Sequence, residues 1–172
     1  GLVRFVFVGN THANPVTTPA TPTDDIGGTY TKIGNTVVFD TNASPTEAIS
    51  LYWGTGGSGA GTLTVGFGGV TQQRCAISII EGTNVDTTTP FVSSNTQEVF
   101  DDSADSAAPE AVTYNAFAST ENRPLFGVAL NNDLAITLDT GWTELSEDVN
   151  NLPDANLEVG WGDGSDTTPT GT

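Results

Sequence analysis

Glu81 closes the apolar ladder "RCAISIIEG", and its placement bears most directly on chemistry. A carboxyl group at the mouth of a strand, crowded by apolar side chains, has its pKa raised and can act as a general acid. Glycoside hydrolysis would require a second carboxylate about 5 to 10 Å away. A chain of 172 residues with 21 Asp and Glu always offers one, so such a pair would carry no information. Strand alternation supplies the other reading. Cys75, Ile77, Ile79 and Glu81 share one face, while Arg74, Ala76, Ser78 and Ile80 share the other. Glu81 then continues the face of the isoleucines just as Gly82 ends the strand, and caps the rim of the fold by accepting hydrogen bonds from loop backbone N–H groups. The expectation is this structural role, with Cys75, Ile77 and Ile79 in the core.

The remaining reactive residues point the same way. His12 is the single histidine, lies in the polar stretch "GNTHANPVTTPATPTDD", and has no nucleophile elbow to serve. One cysteine makes neither an internal disulfide nor a zinc site. Asp163 and Asp166 in "GDGSD", and Asp24 and Asp25 in "PTDDIGG", place hard oxygen ligands in glycine-rich turns. Neither pair has the spacing of an EF-hand, and aspartate favours turns for its own reasons. If a metal is bound, calcium at Asp163 and Asp166 is the expectation; otherwise no cofactor and no catalytic residue is expected. Tyr52, Trp53, Trp142 and Trp161 would either line a sugar-stacking platform or fill a core, and core filling is the expectation.

The elements that position these residues are strands. Period-two patterns rich in β-branched residues recur at 2–8, 29–33, 36–39, 49–53, 62–67, 74–80, 112–115, 125–130, 143–147 and 157–161, with most of the 20 glycines and 9 prolines between them. Ten short strands without a helical period predict an all-β sandwich or a barrel, and of these a two-sheet antiparallel β-sandwich is the expectation. In "GTLTVGFGG", Leu63, Val65 and Phe67 fall on one face, the mark of a half-buried strand. "LVRFVFV" is apolar on both faces apart from Arg4, which predicts a central strand whose outer side is covered by a loop or a partner chain. One domain is expected over residues 1–162, followed by a polar tail or linker over 163–172. Long polar segments at 10–28 and 82–111 predict functional or solvated loops. The chain opens on a glycine with a strand already under way, and a portion of a longer product is the expectation.

The charge balance narrows the partners. Against 21 acids stand Arg4, Lys32, Arg74 and Arg123, for a net charge of -17. Such a surface repels phosphate backbones and anionic lipid, so neither nucleic acid nor membrane is expected as a partner. No run approaches the ~20 apolar residues of a membrane-spanning helix, and a soluble domain from a salty medium is the expectation.

The succession "LVRFVFVGNT", "TPTDDIGGTYTKIG", "ISLYWGTGGSGAGTLTVGFGGVTQQRCAISIIEGTNVDTTTPF", "RPLFGVAL" and "GWTEL" resembles a jelly-roll-like β-sandwich domain of tailed-phage virion proteins and of secreted, repeat-bearing bacterial and archaeal proteins. The resemblance spans residues 2 to 161. It departs at Gly82, where the pattern has an aromatic, and across the acidic stretch from Phe91 to Pro109. It implies a non-enzymatic structural protein at a virion surface, a capsid decoration or fibre component, working as a homo-oligomer or with other virion proteins. The alternative it implies is a carbohydrate-binding or adhesion module of a secreted protein, with a host-surface glycan as ligand. The localisation implied is the virion surface or the extracellular space.

Overall fold

The computed structural model describes residues 1–12, 17–39, 46–90, 110–117, 119, 121, 123–130, 135–151 and 154–171. Among the described residues eleven strands run in chain order: β1 (Leu2–His12), β2 (Thr23–Asp24), β3 (Gly28–Phe39), β4 (Thr46–Gly56), β5 (Leu63–Thr64), β6 (Arg74–Thr83), β7 (Glu110–Ala111), β8 (Leu125–Leu130), β9 (Thr143–Asn151), β10 (Asp154–Trp161) and β11 (Thr170–Gly171). A four-stranded sheet in the order β3-β4-β1-β6 faces a three-stranded sheet in the order β8-β10-β9, and β2-β5 and β7-β11 form two short ribbons. Every pairing is antiparallel. The expected all-β sandwich is the fold. The acidic stretch from Phe91 to Pro109 lies outside the described residues.

Alternation along β1 builds two cores at once. Phe5 and Phe7 face the second sheet, where Phe7, Ala76, Leu157 and Val159 are buried together with Ile49, Leu51 and Ile80 against them. Val6 and Val8 face the other way and pack with Tyr30 and Tyr52 beneath Leu63, Val65 and Phe67. The chain thus covers the outer face of β1 itself. Residues 17–22 belong to this cover: the Tyr52 hydroxyl donates to Pro19 O at 2.8 Å, and Ala20 N to Gly66 O at 2.8 Å. Only Leu63 and Thr64 of the expected 62–67 strand are paired, yet the inward alternation of Leu63, Val65 and Phe67 holds. Likewise the two strands read at 29–33 and 36–39 are one strand, β3, whose register shifts between Ile33 and Val37 around Gly34 at φ 61°. The left-handed conformation that glycine tolerates makes a bulge there instead of a reversal.

The ladder at β6 is oriented opposite to expectation in burial. Cys75 is exposed, and Ile77 and Ile79 are 41% and 45% exposed, whereas Ala76 and Ser78 are buried. The alternation itself is right: Ile77 and Ile79 lie across from Val8 and Val6 on the same side of the sheet. Among the described residues that side is covered over β1 and β4, but the cover stops before β6, the edge strand of the described sheet. The small side chains of Ala76 and Ser78 are the ones enclosed by the second sheet, with the Ser78 and Ser146 hydroxyls hydrogen-bonded at 2.7 Å.

The second sheet is also covered on its far side. Phe126, Val128, Ile136 and Trp142 form a third core, with Val112, Tyr114 and Leu138 against it. Residues 112–115, expected as a strand, run across this face beside residues 167–169, Tyr114 N donating to Thr167 O at 2.8 Å and Val112 N to Pro169 O at 3.4 Å, and β7 stands just before them. The segment read as a polar tail returns to the same layer. Thr170 and Gly171 pair with Ala111 and Glu110, Pro169 is fully buried, and Thr170 N donates to Asp139 Oδ2 at 2.9 Å. Polar composition after Gly162 concealed this, since backbone pairing does not need apolar side chains.

The sheets approach closely at Gly127, where an added Cβ would stand 2.5 Å from ring atoms of the buried Phe7. Gly127→Ala is therefore expected to destabilise the domain by about 1 to 3 kcal/mol through overpacking. Thermal melts of this variant, of Phe7→Leu and of the double variant check it, the double costing less than the sum of the singles.

Candidate functional site

β1 and β6 set Arg4 directly across from Glu81. Arg4 Nε donates to Glu81 Oε1 at 2.7 Å, and its Nη1 donates to Gly56 O at 3.0 Å and lies 3.9 Å from Asp24 Oδ2. The guanidinium is buried, as is the Asp24 side chain, while the Glu81 side chain is 53% exposed. Glu81 is thus the wet end of an ion cluster that ties β1, β4 and β6 to the turn before β3. Its carboxylate serves arginine rather than loop N–H groups. Asp24 is the better-held acid: burial pushes its pKa up, but donation from Gly28 N, the Tyr30 hydroxyl and Ile26 N, with Arg4 nearby, brings it below the usual carboxylate range. Asp25 accepts from Thr62 N at 2.7 Å and anchors the covering layer. The aspartates of "PTDDIGG" are turn and layer fasteners.

Asp163 and Asp166 are likewise engaged. Asp163 Oδ1 accepts from both the backbone and the hydroxyl of Ser165, while Asp166 Oδ1 accepts from Thr168 N at 2.8 Å and Oδ2 from Trp142 Nε1 at 2.8 Å. These donors hold both acids below their ordinary pKa. No third acid joins them among the described residues. The four aromatic candidates are dispersed. Tyr52 is buried under the first covering layer, Trp142 is in the third core, Trp161 lies beneath the Arg123 guanidinium at 5.5 Å, and Trp53 is half-buried on β4.

A different group of acids is brought together where sequence reading did not look. Glu144 and Glu147 of β9 and Glu158 of β10 present carboxylate oxygens within 4.8 Å of one another. Three residues apart on a regular strand, Glu144 and Glu147 would point to opposite faces. The register shifts here: Val159 is opposite Ser146 and Gly160 is opposite Glu144, leaving Leu145 as an extra residue. This bulge turns both glutamates to one side, and Glu158 faces Glu147 directly across the ladder. Glu158 is 1% exposed and its Oε2 is buried without a hydrogen-bond partner, while Glu144 and Glu147 are exposed. Burial, then the charges of Glu144 and Glu147, push the Glu158 pKa up to about 8. Glu147 Oε1 accepts from Ile136 N at 2.8 Å, which fixes that carboxylate.

Comparison with protein-family models, with curated proteins and with solved structures finds no match. The site's chemistry therefore rests on these side chains alone. Three carboxylates meeting at the boundary between core and solvent can share protons or hold a cation. In sequence the only trace is Glu158 itself, a charged residue between Leu157 and Val159, which alternation assigns to an ordinary solvated face.

Proposed function

We propose that this chain is a non-enzymatic structural domain that works by association at the surface of a larger particle, as a capsid decoration or fibre component of a virion. The observation that carries the reading is the outer face of β6. Ile77 and Ile79, 41% and 45% exposed, stand with exposed Cys75 on a strand that, among the described residues, has a sheet neighbour on one side only. Edge strands of this kind are templates for pairing with another chain unless they are blunted by charge or proline, and Cys75 to Ile80 contains neither. The occupant that fits is a second copy of this chain or a neighbouring protein of the same particle. Engagement of Glu81 by Arg4 supports the non-enzymatic part. The viral setting, and jelly-roll connectivity with it, rests on the sequence resemblance.

Mass photometry of the isolated chain across a concentration series tests the reading, beside Ile77→Lys/Ile79→Lys. The parent is expected to form discrete oligomers and the double variant to remain monomeric with its fold intact by circular dichroism. A parent that stays monomeric, with no neighbour seated on β6 in images of the source particle, would overturn it.

A further inference from the structure

We propose that Glu144, Glu147 and Glu158 form a calcium site, separate from the association surface on β6. Two independent features point to a cation. The first is the bulge at Leu145, which gathers three carboxylates whose oxygens lie within 4.8 Å of one another. The second is Glu158 Oε2, an acceptor on a side chain 1% exposed that has no donor among the described residues. Leaving a buried acceptor unsatisfied is costly, and drawing two further carboxylates to it adds repulsion. A bound cation removes both costs together.

The geometry selects among cations. Calcium takes oxygen ligands at about 2.3 to 2.6 Å in flexible geometry, so oxygens spread over nearly 5 Å close on one ion with small side-chain movements. Magnesium, at about 2.0 to 2.1 Å in a strict octahedron, reaches oxygens only about 4 Å apart. Zinc favours nitrogen and sulfur donors, which the trio lacks. Glu147 has its Oε1 tied to Ile136 N, which orients its second oxygen as an outer-shell contact does in established metal sites. Glu144 and Glu147 are exposed, so water can complete the coordination sphere from the solvent side.

Isothermal titration of the full chain with calcium chloride, after chelator treatment and at fixed ionic strength, tests the site. The expected result is one calcium per chain with Kd at or below about 1 mM, the range of modest oxygen-ligand sites, and at least tenfold weaker magnesium binding. Glu158→Gln and Glu144→Gln should each weaken calcium at least tenfold, the exposed Glu144 serving as the variant least able to disturb folding. Asp163→Asn should leave binding unchanged. Absence of saturable calcium binding would overturn the proposal. So would binding that magnesium matches, or that survives both glutamate substitutions, since either marks diffuse screening by the acidic surface.

Discussion

Glu158→Gln is expected to raise the melting temperature of the calcium-free protein at pH 8 and to leave it nearly unchanged at pH 4. Glu158 is 1% exposed, its Oε2 has no donor, and the charged groups facing it are Glu144 and Glu147 on the neighbouring strand. β8 contributes only Val128 opposite it. Burial and those two charges raise its pKa in the folded state from 4.5 to about 8. With the folded value raised, the stability held below the unfolded value is lost progressively as pH climbs from 4.5 to about 8, because the unfolded chain releases the proton first. Above that range both states are ionised and the loss is complete. A glutamine releases no proton, and its amide can donate to Glu144 or Glu147. The variant should gain on the order of 3 kcal/mol over the parent at pH 8, or roughly 6 to 12 °C for a domain of this size. Melts of both proteins in chelator at half-unit steps from pH 4 to 9 measure the difference. A difference that does not grow with pH would show Glu158 to be solvated and ionised throughout.

Arg4→Met should be the most damaging single change in the first sheet. The substitution keeps the stem but leaves Gly56 O without its donor and the buried Asp24 carboxylate without a cation. Removing one member of a buried charged group costs about 3 kcal/mol or more, a fall of at least about 6 °C. Glu81→Gln is the control: its side chain is 53% exposed, so the loss is about 1 kcal/mol or less. The sign with pH is opposite to that of Glu158. Asp24 is held below its ordinary value, so what it contributes is present at neutral pH and disappears as pH falls through its folded value. The penalty of Arg4→Met should therefore shrink in acid. Equal losses for Arg4→Met and Glu81→Gln would place the energy at the exposed end of the cluster instead.

Much of this was legible in the residues alone. Period-two alternation in "LVRFVFV" requires a strand with two apolar faces, and in "TLTVGF" it specifies the side chains, Leu63, Val65 and Phe67, that cover one of them. Strand type follows from local sterics and side-chain period, which every sequence carries within it. Burial does not, because it depends on what lies above a face. The same alternation that placed Ile77 and Ile79 beside Glu81 could not say that, among the described residues, the cover ends short of β6, so their exposure was decided by the position of that strand in the described sheet. The polar residues after Gly162 join the domain because backbone hydrogen bonds to Glu110 and Ala111 are indifferent to side-chain polarity. The carboxylate trio was decided by tertiary structure most completely of all. One extra residue at Leu145 brings Glu144 to the side of Glu147, and Glu158 is buried across from Val128 of β8, which itself packs with Ile136 and Trp142. A bulge and a long-range contact each have energies set by partners that the local sequence does not contain.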